Sequence, residues 1–531
     1  MSRATVAVLT AALGGMLVFG TSVADAHAAP MLRAAPAVTA VGARALRLPA
    51  ARPDATRTSL GRDALSEGIP MRPATTVGMS AERLAAVDRV VLRGISAGGY
   101  PGASVVVGRK GYAVVKRGYG ALTWGGAAVD EHSIYDIASL TKVVGTTAAI
   151  MVLYDEGKID LDAPVRSYLP AFTGGAKDRV TVRHLLTHRS GLPAGRELWR
   201  SASSPAEARR QVIETPVYCR PGDCYEYSDI GADVLGFVAE AVSGRQLDVF
   251  LQERVFVPLG MNDTGFRPSA ALRGRIAPTE IAPPRGYPLR GEVHDENAFA
   301  LGGVAGHAGL FSTAADLSIY AQMLLNGGEY NGVRVLADST VRRFTTRAAG
   351  TRALGWDTCN QKGSCGSLMG AGAFGHTGYT GTSLWLDPER DMFVLLLTNR
   401  VHAARALRPA KVIGDVRADL ADAAELAVLD DPIGVRAMPA TFRADAASGW
   451  NTRPAARTVS RGKAGKPSGK ASRGKSARGK SAKRGTSASA RTSSARKSSA
   501  KSSSAKSSSA KKASGKGSAK KSTTNAKRGR R

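Results

Sequence analysis

The composition of the chain changes abruptly after Trp450, its last aromatic residue. Beyond that point the sequence holds 26 Lys and Arg residues, no Asp or Glu, and otherwise mainly Ser, Ala and Gly. Such a segment has too little apolar surface to offset the entropy lost on ordering it. We therefore predict that residues 455–531 form a disordered basic tail, which carries most of the net charge of +31.

The first residues predict export. Arg3 precedes an uncharged, mostly apolar run from Ala4 to Phe19, and Ala26-His27-Ala28 fits the small-x-small pattern of a cleavage site. The run is shorter than the roughly 20 apolar residues that a membrane helix needs. A signal peptide over residues 1–28 and a periplasmic or extracellular protein are therefore expected, with an uncleaved anchor as the alternative.

Nearly all aromatic residues, the four Cys and the patterned apolar segments lie within residues 76–427, the predicted folded domain. Residues 29–75 and 428–454 are predicted linkers. Strands at both ends of the domain, with mostly helices between them, predict an α+β fold: an antiparallel sheet flanked by helices plus a helical subdomain. The predicted segments are helix 80–96, strands 103–108 and 113–117, a helix from 139 to 156, strands 383–386 and 392–398, and helix 408–427.

The four Cys form two close pairs, Cys219 with Cys224 and Cys359 with Cys365. A Pro-Gly turn between the first two would bring their thiols together. Because an exported protein meets an oxidising environment, two local disulfides are expected. Four reduced, buried thiols and a structural zinc site remain the alternatives.

The segment Ser139-Leu140-Thr141-Lys142 is the strongest candidate for catalysis. A Ser hydroxyl is a poor nucleophile without a base in hydrogen-bond reach, and residues i and i+3 of a helix share one face. Lys142 can be that base if burial and neighbouring positive charge lower its pKa toward neutrality. The same spacing recurs in the tail, but only Ser139 is followed by apolar residues that predict a buried helix.

Two further motifs follow in order, Tyr227-Ser228-Asp229 and His376-Thr377-Gly378. Together with Ser139 and Lys142, and with the connecting segment 185–192 (LLTHRSGL), they make residues 76–427 resemble the serine β-lactamases and penicillin-binding-protein-like hydrolases, of the class C type. The resemblance implies a β-lactamase/transpeptidase-like fold and a serine hydrolase that acts on an amide or ester.

The resemblance also implies roles for these residues. Ser139 would form the acyl-enzyme, Lys142 would take its proton, and Tyr227 would relay a proton to the leaving group. The backbone N–H groups of Ser139 and Tyr379 would form the oxyanion hole.

His376, Thr377 and Gly378 would line the substrate. Two positions depart from the family pattern. Asp229 stands where Asn is frequent, which changes the polarity of that position. His376 replaces the Lys of Lys-Thr-Gly, and because His is mostly neutral at pH 7 it would not hold a substrate carboxylate as Lys does. This weakens the case for the alternatives, an efficient β-lactamase or a dedicated D-Ala-D-Ala carboxypeptidase.

Residues 293–298 and 301–312 resemble a sub-branch tied to cell-wall turnover, which includes muramyl-peptide amidases. That match implies a substrate related to cell-wall peptides or other peptidoglycan fragments. From its residues alone, the second segment is predicted to be a Gly-rich loop that precedes an N-capped helix beginning near Ala314. The alternative is that its glycines only permit a tight turn.

No cofactor and no metal are expected. His184 and His188 are four residues apart, but the Glu of the His-Glu-x-x-His zinc pattern is missing, so packed loop histidines are favoured.

Two other functions are alternatives to a serine hydrolase. The domain could bind wall peptides without turnover, although the intact Ser139, Lys142 and Tyr227 set argues against this. Alternatively the tail could give the protein its main role, binding an anionic polymer or membrane surface through its positive charge, and nucleic acid only if the protein is not exported. A tail that merely aids solubility is the third interpretation.

Overall fold

The computed structural model describes residues 65–446 and 449–451. The predicted signal peptide and basic tail lie outside these residues. The helices span Ala81–Ser96 (α1), Thr147–Asp155 (α2), Val182–Leu186 (α3), Leu198–Ser201 (α4), Pro205–Glu214 (α5), Asp229–Ser243 (α6), Leu247–Leu251 (α7), Val257–Leu259 (α8), Glu296–Ala300 (α9), Ala314–Leu325 (α10), Asp338–Thr345 (α11), Pro409–Leu426 (α12) and Arg443–Ala446 (α13).

The strands of the described domain are Gly102–Arg109 (β1), Tyr112–Gly120 (β2), Tyr135–Asp136 (β3), Gly265–Phe266 (β4), Leu310–Ser312 (β5), Glu329–Tyr330 (β6), Val333–Arg334 (β7), Asp357–Thr358 (β8), Phe374–Thr377 (β9), Ser383–Asp387 (β10) and Met392–Thr398 (β11). Strands from both ends of the domain build one antiparallel sheet of six strands, in the order β2-β1-β11-β10-β9-β8. Shorter strands form a three-stranded sheet, β3-β5-β4, and a hairpin of β6 and β7.

Both faces of the sheet are covered. In β11, Phe393, Leu395 and Leu397 belong to the larger core, which includes α2, α6 and α10. The residues between them, such as Val394 and Leu396, pack into a second core with α1 and α12. Since side chains alternate between the faces of a strand, this pattern places apolar residues on both faces. The predicted α+β fold is confirmed.

The described domain extends beyond the boundaries predicted from sequence. Ile69 is fully buried in the larger core, and Met71 pairs with Ala113 of β2. At the other end Phe442 and Trp450 are buried in the second core. The boundaries at 76 and 427 were therefore wrong, because short segments without apolar periodicity can still insert single large side chains into a core.

The predicted helix from residue 139 to 156 is broken into different turns. Ala138–Leu140 is a 3-10 turn, Lys142–Thr146 is a π turn, and α-helical geometry starts only at α2. π turns within helices are rare and are frequent at functional sites. Among the described residues, no helix is long and apolar enough to cross a bilayer.

Candidate active site

Ser139 and Lys142 lie together, as their spacing predicts. The buried Lys142 Nζ donates hydrogen bonds to Ser139 Oγ at 2.9 Å and to the carbonyl oxygen of His307 at 3.0 Å. Lys142 also forms an ion pair with Asp229, whose Oδ1 lies 2.8 Å from Nζ but is not aligned for a hydrogen bond. The nucleophile and its candidate base are thus held by three separate parts of the chain.

The condition named for Lys142 as a base, a pKa lowered by burial and neighbouring positive charge, is not met in this structure. Burial does act in that direction, but the negative charge of Asp229, with a smaller contribution from Tyr227, outweighs it and raises the pKa. Lys142 is therefore an ammonium group at neutral pH, and the proton of its bond to Ser139 lies on Lys142. The carboxylate of Asp229 is the largest of the influences that raise this pKa.

The backbone before the nucleophile is held in an uncommon conformation. Ala138 has a φ of +47°, which few residues other than Gly adopt. Asp136 fixes this turn, because its Oδ1 accepts the N–H of Ala138 at 2.8 Å and its Oδ2 accepts the N–H of His294 at 2.7 Å. The Thr380 hydroxyl also donates to the Asp136 carbonyl at 2.7 Å. Non-Gly residues with positive φ cluster at active sites.

Tyr227 lies beside Lys142 between two imidazoles. Its ring centroid is 5.0 Å from Lys142 Nζ, 4.6 Å from the His188 ring and 5.9 Å from the His376 ring. His188 is held by the N–H of Ser228, which its Nδ1 accepts at 3.0 Å. Burial, and then nearby positive charge, lowers the pKa of His188 well below its usual value, so it is neutral. The phenol therefore lies near two cations, Lys142 and Arg352, and between two uncharged rings.

His376 is buried in β9 and neutral. Its Nδ1 donates to the carbonyl of Thr377 at 2.8 Å, while Nε2 has no hydrogen-bond partner. Burial lowers its pKa well below the usual value, and the charges of Arg352 and Lys142 lower it further. The expectation of a neutral group at this position agrees with these contacts.

Gly378 brings the end of this strand against the nucleophile's segment. A Cβ at this position would lie 2.4 Å from the carbonyl oxygen of Ile137, so only Gly permits the approach. The Gly378 carbonyl accepts a hydrogen bond from Arg417 at 2.7 Å. Residues 376–379 are thereby placed beside Ser139, although the oxyanion role of Tyr379 stays a prediction.

The side chain of Tyr379 opens toward a cavity of about 600 Å³, which it lines together with Glu280, Arg400 and His402. The Tyr379 ring is 62% exposed, stacks on His294 at 5.7 Å and lies 4.5 Å from the guanidinium of Arg400. Within the described part of the chain, Arg400 has no acidic partner. The cavity therefore carries one carboxylate, that of Glu280, and one guanidinium, that of Arg400, and Tyr379 joins it to the strand end at residues 376–379.

Several residues of the site were not singled out by sequence reasoning. Arg352 lies 5.2 Å from the Tyr227 ring, and its Nε donates to the Tyr225 hydroxyl at 3.2 Å. The buried His307 and Asp233 form an ionic cluster behind Lys142 with the partly exposed Asp295. Only the Gly-rich segment 301–312 gave a signal for His307, and it did not indicate what the side chain contacts.

Both predicted disulfides are present. Cys219 is bonded to Cys224 and Cys359 to Cys365. The first closes the loop that leads directly into Tyr225 and Tyr227. Within residues 65–446 and 449–451, no group of three or more His, Cys, Asp or Glu side chains is arranged to hold a metal ion.

A Ser that is hydrogen-bonded to a Lys three residues later, in a domain built on an antiparallel sheet flanked by helices, is the arrangement found in serine hydrolases of the β-lactamase and transpeptidase class. The chain belongs to the beta-lactamase family, whose sequence model matches residues 82–417. The predicted family is thus confirmed.

Relatives and solved structures agree with this assignment. A protein of Escherichia coli K12 named "Putative D-alanyl-D-alanine carboxypeptidase" is 33% identical over 381 residues, covering 64% of this chain and 86% of the relative. A Salmonella schwarzengrund protein of the same name is 32% identical, covering 62% and 85%.

The fold resembles that of EstCE1, a hydrolase with promiscuous acyltransferase activity, at a TM-score of 0.54 and 21% identity over 65% of this chain and 99% of that one. A penicillin-binding protein homologue from Caulobacter crescentus gives a TM-score of 0.52 at 22% identity, covering 65% and 98%.

Proposed function

We propose that the protein is an exported serine hydrolase that forms an acyl-enzyme at Ser139 and cleaves an amide bond in a cell-wall peptide. The observation that carries this proposal is the 2.9 Å hydrogen bond between Lys142 Nζ and Ser139 Oγ in a largely buried setting. Export is supported by the two disulfides, which persist in oxidising compartments.

The chemistry follows from the charge state of Lys142. In the fraction of enzyme where Lys142 has lost a proton, its amine takes the proton of Ser139 as Oγ attacks the substrate carbonyl. The backbone N–H groups of Ser139 and Tyr379 stabilise the oxyanion. The Tyr227 hydroxyl then protonates the departing amine and regains a proton from Lys142, which leaves Lys142 as a neutral amine. Water hydrolyses the resulting ester as Lys142 accepts a proton from it, and that proton returns to Ser139 Oγ as the acid is released.

Arg400 supports a substrate that ends in a carboxylate. The neutral His376 cannot pair with an anion, whereas the Arg400 guanidinium lies beside Tyr379 without an acidic partner among the described residues. Arg417 lies behind Arg400, and among the described residues its hydrogen bonds go to two backbone carbonyls. Burial, together with the charge of Arg400, lowers the pKa of Arg417 to about 9. The carboxypeptidase name of the relatives agrees with a carboxylate at this end of the substrate.

Intact-protein mass spectrometry tests the proposal directly. The enzyme is incubated with a muramyl peptide that ends in D-Ala-D-Ala, with a simple activated ester and with a penicillin, and the S139A variant serves as the control. We expect acyl adducts on the wild-type protein alone, with release of D-Ala from the peptide. Absence of any adduct and of any released product would refute the proposed function.

An esterase is the second candidate, and the neutral His376 favours it. An uncharged imidazole with an unpartnered Nε2 suits an uncharged substrate better than a carboxylate. Substrate specificity distinguishes the esterase from the cell-wall peptide hydrolase. A preference for the activated ester over the muramyl peptide, in kcat/KM, would identify an esterase.

A further inference from the structure

His307 occupies an ionic bridge directly behind Lys142. Its ring is buried, with Nδ1 2.7 Å from Oδ1 of Asp233 and Nε2 2.9 Å from Oδ1 of Asp295. An imidazole that donates to a carboxylate through each ring nitrogen carries both protons and a positive charge. Burial opposes this charge, but the two carboxylates outweigh it and raise the pKa of His307 well above its usual value.

The bridge fixes the loop whose carbonyl holds Lys142. Asp233 Oδ1 also accepts the N–H of Gly306 at 3.0 Å, and the Gly306 carbonyl accepts the Thr146 hydroxyl at 2.6 Å. A Cβ on Gly306 would lie 2.0 Å from the Ala232 carbonyl oxygen, so the loop packs against the backbone of α6. The His307 carbonyl is therefore held firmly at 3.0 Å from Lys142 Nζ.

The other end of the bridge reaches the backbone of the nucleophile. Asp295 accepts the N–H groups of Asn297 and Ala298 at 2.9 Å and so caps α9. The residue before it, His294, donates its N–H to Asp136, the carboxylate that fixes the turn at Ala138. The His307 imidazolium thus connects the loop that contacts Lys142 to the carboxylate of Asp136, which fixes the turn before Ser139.

We infer that His307 is a positioning residue, whose imidazolium bridge between Asp233 and Asp295 holds Lys142 against Ser139. The inference rests on the proposed function, since it concerns how the same site is aligned. The side chain does not contact Ser139, and its effect on the reaction passes through its own carbonyl and through Asp136.

Replacing His307 by Gln tests this role, because Gln is of similar size but carries no charge. Misplacing a catalytic group by about 1 Å can cost about 10²-fold in rate. On an uncharged activated ester we expect kcat to fall by about that factor with KM within about twofold of wild type, since no substrate-contacting group is removed. H184Q is the matched control, because His184 is a partly buried His on α3 outside the site, and it should keep wild-type kinetics.

The pH profile of H307Q distinguishes positioning from a general loss of stability. Without the imidazolium, Asp233 and Asp295 are left uncompensated near Lys142, which favours its ammonium form. The acidic limb of the kcat/KM profile should therefore move to higher pH. The other charged or titratable groups near Lys142 are Asp229 on α6, Tyr227, His188, Arg352 and His376 on β9.

Two measurements do not depend on turnover. A crystal structure of H307Q should show Lys142 Nζ beyond hydrogen-bond range of Ser139 Oγ. In ¹⁵N imidazole NMR spectra of the wild type, one of the eight His residues should stay doubly protonated through neutral pH, and H307Q should lack that signal.

The combined results separate the two claims. Normal kcat and pH profile in H307Q, or an unchanged position of Lys142 in its crystal structure, would overturn the role of His307. A neutral His307 at pH 7 would do the same. If the wild type forms no acyl-enzyme, the proposed function fails, and the crystal structure and NMR spectra still decide whether His307 positions Lys142.

Discussion

Nζ of Lys142 lies 2.8 Å from Oδ1 of Asp229 and also donates a hydrogen bond to Ser139 Oγ at 2.9 Å. The resting site is therefore an ion pair facing a neutral Ser hydroxyl. A Lys can serve as a general base only after its ammonium group has lost a proton.

Removal of the side chain of either Ser139 or Lys142 should abolish turnover. S139A should lower kcat/KM on an activated ester by about 10³-fold or more, because the nucleophile and its base act as a unit. K142A should cost a similar factor, and K142R should not restore activity since Arg does not lose its proton in proteins. Near-wild-type turnover by S139A would show that Ser139 is not the nucleophile.

The charge of Asp229 should set the pH dependence. In D229N the largest influence that raises the pKa of Lys142 is gone, while burial still lowers it. More of the enzyme then holds a neutral amine at a given pH, so the acidic limb of the kcat/KM profile should move to lower pH. D223N, which removes an exposed carboxylate, is the control and should leave the limb in place. A limb that does not move in D229N would contradict the assignment of Lys142 as the base.

Arg400 should determine the preference for charged substrates. For two peptides that differ only in a terminal carboxylate or carboxamide, R400Q should lower the ratio of their kcat/KM values by about tenfold, as expected for loss of a charge-assisted hydrogen bond. R405Q is the matched control, because Arg405 also lies over an aromatic ring, that of Trp124 at 4.1 Å, and does not line the cavity. An equal effect of both variants would assign the preference to general surface charge.

Hydrolysis of a chromogenic cephalosporin should be slow compared with that of an ester or a muramyl peptide. The neutral His376 replaces the Lys that would bind the carboxylate of a β-lactam at any physiological pH. Steady-state kinetics decide this point. A kcat/KM of about 10⁷ M⁻¹s⁻¹ or more would identify an efficient β-lactamase instead.

Deletion of residues 455–531 should abolish binding to anionic polymers without changing catalysis. The tail has no acidic residue to offset its Lys and Arg, so binding to heparin or an anionic wall polymer should be lost in the truncated protein. In the full chain it should weaken steeply with salt, because each neutralised charge releases condensed counterions. Charges more than about 10 Å from the site are screened at 0.1 M salt, so rate constants on a small ester should not change. A folded, truncated enzyme that loses ester activity would show that the tail takes part in catalysis.

The strands and the contact between Ser139 and Lys142 could be predicted from sequence because their signals are local. The run of residues 392–398 and the Ser139-x-x-Lys142 spacing each depend on neighbours within one element, and both are found in the structure. Three motifs in a fixed order then sufficed to indicate the family. The domain ends were predicted less well, since Ile69 and Trp450 reach the core from segments without periodicity.

The charge of Lys142 was decided only by the tertiary structure. Asp229 lies 87 positions along the chain from it, so spacing could not show that the two would form an ion pair, and a pKa depends on the charges that surround a group in space. The same holds for His307, whose two carboxylates come from α6 and from the residue before α9. The sequence by itself determined which groups can react, whereas folding determined their charge and what holds them in place, because electrostatic interactions act between groups that only the fold brings together.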